Sequence, residues 1–153
     1  MGHSDQTADQ AGGPSRPAPA LIRLQAVLRA ARFHGIDLDV HDFAGASDDA
    51  APSIPALARW VEENGGTARG LHLQWRDLVR LRDVPPVALM FNDGSAGLMV
   101  GADEVNGVIW LVDPFASPDS PPVAVDELRL CAVWGGDVLL VRGRGGGAPV
   151  EDP

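Results

Sequence analysis

Lysine is absent from this 153-residue chain, and all twelve basic residues are arginine. Without lysine there is no Schiff-base nucleophile and no Walker-type phosphate loop, so any ATP-driven step belongs to another segment or chain. Cysteine is nearly absent too. The single thiol, Cys131, excludes an intrachain disulfide and a cysteine-rich zinc site, which is compatible with a reducing compartment. No apolar run approaches the roughly 18–20 residues that cross a bilayer. The polar, acidic N-terminus MGHSDQTADQAGGPSRPAP lacks the charged-then-apolar pattern of a signal peptide. Positive charge is scarce as well, with a formal net charge of −9. That balance argues against nucleic acid and anionic membrane surfaces as partners, since both need a basic patch. By itself the piece reads as soluble.

What is present suffices for one domain. Hydrophobic residues make up 45% of the chain, so a core can form without staples. The organising stretch is VALMFNDGSAGLMVGADEVNGVIWLVDPF, Val87 to Phe115. It predicts three strands: Val87–Phe91, a second centred on Leu98–Val100, and Val108–Val112. Asn92-Asp93-Gly94 and Asn106-Gly107 supply the positive φ values of tight hairpin turns. The runs are short and nearly continuously aliphatic, which predicts burial on both faces.

Upstream, residues 1–17 are rich in Gly, Pro, Ser, Asp and Gln and read as a disordered leader. Pro19 opens a helix of about four turns. Leu21, Leu24, Ala26-Val27-Leu28 and Ala31 form its apolar stripe, Arg23, Arg29 and Arg32 lie opposite, and Gly35 follows its last turn. Ala44–Pro52 is a loop. Ser53 caps a second helix, Ile54–Asn64, whose Leu57, Trp60 and Val61 turn inward. Thr67–Leu73 alternates like a strand, and Trp75–Arg82 reads as a short amphipathic helix. After the meander come a loop at Ala116–Pro122, a short helix or turn at Val125–Leu130, and a last buried strand at Val138–Val141. Residues 143–153 read as a flexible tail, leaving 18–142 as the folded domain.

Two groups of residues invite a chemical reading. His34, Asp37, Asp39 and His41 carry metal-ligating side chains, but their spacing matches no closed site, and a helix end followed by an acidic turn is the plainer reading. No metal or other cofactor is therefore expected. Cys131 is read as a small buried apolar residue and His72 as a surface or core-edge histidine.

The order helix, helix, strand, short helix, three-strand meander, helix, strand resembles the papain-like peptidase domain at the N-terminus of bacteriocin-exporting ABC transporters. It is more similar still to the degenerate, peptidase-like version in type I secretion transporters of RTX toxins and adhesins. The residues that carry the resemblance are ARFHGID (Ala31–Asp37), IPALARWVEENGGTARGL (Ile54–Leu71), PPVALMFNDGSAGLMVG and VIWLVDP, within a span from about Ala20 to Val141. It implies an α+β, papain-like cysteine peptidase fold with N-terminal helices packed on a mainly antiparallel sheet.

The resemblance also implies where the catalytic groups of active members would stand. Their thiolate sits at the start of the first helix, where the helix N-terminus lowers its pKa. Twelve residues before the His-Gly step, that position holds Ile22. The general base, a histidine after the first hairpin turn, falls on Ala96. The orienting acid before a proline is kept as Asp113, and the upstream oxyanion glutamine falls near Arg16. With two of three catalytic positions empty, the resemblance implies a domain that is not an enzyme, although the parent transporter would be an ATPase. Cys131, more than a hundred residues from Ile22 and without an activating histidine, offers no substitute.

Degenerate relatives are thought to hold unfolded substrate for export. Met90 or Phe91, with Ala96, Asp113 and Phe115, are the groove candidates this implies. The alternative reading is that Met90, Phe91 and Phe115 fill the core and that Asp113 only caps a loop. The implied partners are an unfolded RTX-type protein and the transporter's membrane and ATPase domains. The implied location is the cytoplasmic face of the bacterial inner membrane. A structural spacer within the transporter is the rival reading, and an active leader peptidase a more distant one.

Overall fold

The computed structural model describes residues 18–43, 52–81 and 86–143. The expected leader 1–17, Arg16 within it, most of the loop Ala44–Pro52, Arg82 and the expected tail beyond Gly143 lie outside the described residues.

The first helix, Pro19–Phe33 (α1), begins with proline in its first turn, where a missing N–H leaves no bond unmade. It ends at His34 and Gly35, the glycine at φ 79°. Its inward face is Ile22, Leu24, Ala26, Val27, Leu28, Ala30 and Ala31. Leu21, expected on that face, is 47% exposed, and Ile22 takes the inward position instead. A one-residue change in phase is enough to trade the two on a helix.

A short 3-10 turn at Val40–Asp42 leads towards the second helix, Ile54–Glu63 (α2). Ser53 Oγ accepts a hydrogen bond from the Ala56 amide at 3.2 Å, the expected cap, and Leu57, Trp60 and Val61 are buried. Gly66–His72 (β1) follows, then Trp75–Val79 (α3), shorter than its amphipathic pattern predicts. The meander is Val87–Phe91 (β2), Ala96–Asp103 (β3) and Val108–Val112 (β4), with Gly94 and Gly107 at positive φ in its turns.

The next segment departs from expectation. Val123–Asp126 is a strand (β5), and the short helix begins only at Glu127–Cys131 (α4), with Asp126 Oδ1 accepting from the Arg129 amide at 2.9 Å. Four residues are too few to carry a periodic signal; the strand exists because β4 supplies its ladder, from Leu111–Val123 to Val108–Asp126. The last strand, Trp134–Gly143 (β6), is longer than the apolar run that marked it, because its flanks pair with β1 from Asp137 to Gly143 and with Phe91 of β2 at Trp134.

The six strands form one antiparallel sheet in the order β1-β6-β2-β3-β4-β5. Side chains alternate across it. Ala88 and Met90 of β2 join Ala96, Leu98, Leu139 and Val141 beneath α1 and α2. Val87 and Leu89 point the other way, to Met99, Ile109, Trp134 and Val138, with Leu78 of α3 and Leu130 of α4. Two covered faces explain the continuous apolar run of β2. On β4, however, only Ile109 is buried, correcting the expectation for that strand. Helix α1 packs on β2, β3 and β6, and α2 on β1 and β6, so β4 and β5 extend past that cover.

Candidate functional site

The site begins with the hairpin between β2 and β3. The Phe91 amide donates to Ser95 O at 2.9 Å, and the Gly94 amide donates to Phe91 O at 3.1 Å. Asp93 Oδ1 accepts from both the amide and the hydroxyl of Ser95, at 2.9 and 2.5 Å. These bonds fix the backbone that delivers Ala96 as the first residue of β3. The Phe91 ring lies over Gly97. A Cβ built on that glycine would sit 2.9 Å from Phe91 Cζ, so glycine is what lets the ring approach the sheet.

The opposite wall is the chain leaving β4. Asp113 Oδ1 accepts from the Phe115 amide at 2.8 Å, and the Ala116 amide donates to Asp113 O at 2.9 Å. Asp113 therefore caps its own loop, one of the two roles considered for it. Between these walls and the first turn of α1 lies a cleft of about 340 Å³. Ile22, Ala96 and Asp113 all line it, together with Phe91, Asp93, Ser95, Gly97, Leu111, Val112, Pro114, Val123, Val125 and Val133. Three positions singled out across more than ninety residues of sequence thus meet in one place.

Other candidates lie elsewhere. Met90 is 2% exposed in the core beneath α1 and does not line the cleft, leaving Phe91 as the aromatic of that strand end that does. Phe115 is 48% exposed and lies outside the lining. Cys131 is exposed, contrary to the expected burial: α4 turns Leu130 inward and leaves its neighbour beside a separate hollow with Trp75 and Leu128. His72 is exposed, its Nδ1 3.4 Å from Asp137 Oδ1. Among the described residues no three His, Cys, Asp or Glu side chains converge to hold a metal ion; Asp39 instead accepts from the His41 amide at 2.9 Å.

Two arginines expected opposite the apolar stripe are part of the site's frame. Arg23 donates to Pro52 O at 2.9 Å and to Phe91 O at 3.0 Å. Burial pulls its guanidinium below the ordinary arginine range, opposed by the negative charges of Asp137 and Asp93. Arg29 Nη1 points at the carbonyls of Asp113, Pro114 and Ala116, at 3.2, 3.0 and 3.0 Å. Helical phase marked both as polar-face residues; their carbonyl partners lie about 30 to 90 positions away and leave no local signal. The cleft residues of β5, Val123 and Val125, were missed with their strand, although V-A-V alternation is visible in the sequence.

Chemically the cleft is an apolar trough with two carboxylates at its rim. Among the described residues that line it there is neither a cysteine nor a histidine. Ser95 is the one hydroxyl there, and it is 6% exposed and donates to Asp93.

Helices on one antiparallel sheet, with a cleft where the first helix meets the meander, define a papain-like peptidase fold. In particular, it is the fold of peptidase C39-like domains. The structure matches the N-terminal peptidase C39-like domain of the toxin secretion ATP-binding protein from Vibrio parahaemolyticus with a TM-score of 0.65 and 14% identity, over 85% of this chain and 100% of that one. It matches the peptidase domain of Streptococcus ComA, a bi-functional ABC transporter involved in a quorum sensing pathway, with a TM-score of 0.66 and 11% identity, over 86% and 96% of the two chains. A double glycine motif protease from an AMS/PCAT transporter, solved with its leader peptide, matches with a TM-score of 0.65 and 11% identity, over 85% and 88%. No protein-family model and no curated protein matches the sequence.

Proposed function

We propose that this chain is a non-catalytic, peptidase-like domain of a type I secretion ABC transporter, and that it holds an unfolded RTX-type substrate before export. The observation that carries the reading is the content of the cleft. Ile22 and Ala96, the positions that the resemblance assigns to a thiolate and an imidazole, line it together with Asp113. A trough without its nucleophile and base retains the shape to receive a chain and lacks the means to cut it.

Binding would use the physics of strand recognition. The trough floor is apolar, with Phe91, Leu111, Val123 and Val125 available to side chains of an extended client. Strand β5 is an edge of the sheet, with backbone groups free of a second strand partner. Affinity should be weak, because the client loses conformational entropy on binding and the cleft offers few anchors. Long-range charge does not help an acidic client approach a chain of net charge −9. The domain would act at the cytoplasmic face of the inner membrane, tethered through the transporter. Among the described residues no helix is long and apolar enough to cross a bilayer.

The test is an NMR titration with a calcium-free RTX-type polypeptide, then with the same polypeptide folded by calcium. Shifts at the Phe91, Ala96 and Asp113 amides only in the calcium-free titration support the reading. Equal shifts in both states reject it. A second reading, a spacer that organises the transporter without touching the client, is favoured by the loop-capping bond of Asp113. In the full transporter, normal secretion by F91A and D113A would select the spacer, and lost secretion with intact assembly would select client binding.

A further inference from the structure

We propose that Arg29, together with Arg23, is a positioning residue of the cleft: from one helix the two guanidiniums hold both of its walls and set their separation. The residues stand six apart on α1. Arg23 grips the hairpin wall through Phe91 O, and also Pro52 O ahead of α2. Arg29 grips the other wall through Asp113 O, Pro114 O and Ala116 O. Ile22 and Ala96 bring no polar side chain to the gap between helix and sheet, so their side chains offer no bond to fix it.

Each bond runs from a charged donor to a backbone carbonyl, the stronger kind of neutral-acceptor bond, and a planar guanidinium aims it. Three carbonyls within four residues converge on one Nη1, and this occurs where the chain turns away from β4 carrying Asp113 and Pro114 into the cleft lining. Arg23 is held where desolvation opposes its charge and its Nε has no hydrogen-bond partner. A side chain that served only solubility would not be kept there. The structural half of this inference stands on these bonds alone; the consequence for client affinity rests on the proposed function.

The experiment compares R29M, which keeps the apolar stem, with R29K, which keeps a charged donor. R32M removes the same charge from an exposed position on α1. Two amides report on the wall: Phe115 and Ala116, both bonded to Asp113. Hydrogen exchange at both should quicken about tenfold or more in R29M and stay within about twofold of the parent in R29K and R32M. Affinity for a calcium-free RTX-type polypeptide should fall about tenfold in R29M and recover in R29K. Unchanged exchange in R29M overturns the proposal, as does equal acceleration in R32M. Accelerated exchange in R29M beside a parent domain that binds no polypeptide refutes the client reading and supports the positioning role. Should R29M fail to fold, R29Q, with one amide donor on a shorter stem, is read by the same two amides.

Discussion

Gly97→Ala puts the packing of the cleft wall to a quantitative test. The added Cβ would lie 2.9 Å from Phe91 Cζ, 3.2 Å from Cε2 and 3.8 Å from Leu111 Cδ2. Carbon atoms rest at about 3.5–4.0 Å, so the ring must retreat by roughly 0.6–1 Å while Leu111 need not move. Overpacking costs about 1–3 kcal/mol in a closed core, and an alanine at an ordinary strand φ returns about 0.4–1 kcal/mol by restricting the unfolded chain. Phe91 is half-buried and borders open cleft, so it can give way, and the net loss should be about 1 kcal/mol. In urea that is a midpoint shift of about half a molar with an unchanged slope. The double-mutant cycle isolates the cause. In an F91A background there is no ring to displace, and Gly97→Ala should be neutral or slightly stabilising. An equal loss in both backgrounds would refute the ring-over-glycine account. The retreating ring also enters the trough, so client affinity should fall in G97A, by about tenfold for each 1.4 kcal/mol of lost contact.

Replacing Asp113 by alanine removes the acceptor for the Phe115 amide and should cost about 0.5–1 kcal/mol by thermal or urea denaturation, while D113N keeps an acceptor and most of that stability. Asp103 predicts a pH dependence. Hydrogen bonds from the Asn106 side chain and backbone lower its pKa below the ordinary 3.8, so its contribution is present above the unfolded value and lost as pH falls through the folded one. The melting-temperature gap between parent and D103N should therefore close on acidification, and a gap that widens would contradict the assignment. Cys131 is exposed, so a thiol reagent should modify it fully in the native state without unfolding the domain; a protected thiol would contradict its placement.

The parts of the fold legible in sequence are those whose signal is local. Proline and glycine bracket α1, Ser53 starts α2, and the Asn-Gly and Asp-Gly steps locate both hairpins within a residue or two. Strand β5 was not legible because its four residues acquire strand character from β4. Helical phase could not separate Leu21 from Ile22, since a stripe defined by many alanines has soft edges. Within the site, the resemblance singles out Ile22, Ala96 and Asp113, and all three line one cleft. It could not choose between Met90 and Phe91, because adjacent strand residues face opposite sides and a one-residue gap reverses the assignment. The sequence puts Arg23 and Arg29 opposite the apolar stripe and says nothing of their partners, which are backbone carbonyls that no residue type announces.

The proposed role gives the cleft two properties: it receives an extended chain, and it leaves that chain intact. Native mass spectrometry of the purified domain mixed with an unfolded client polypeptide containing a double-glycine step reads both halves at once. The account predicts a one-to-one complex carrying the full-length polypeptide after prolonged incubation. Fragments cut after the double glycine, or a spectrum of free components alone at high concentration, would contradict it.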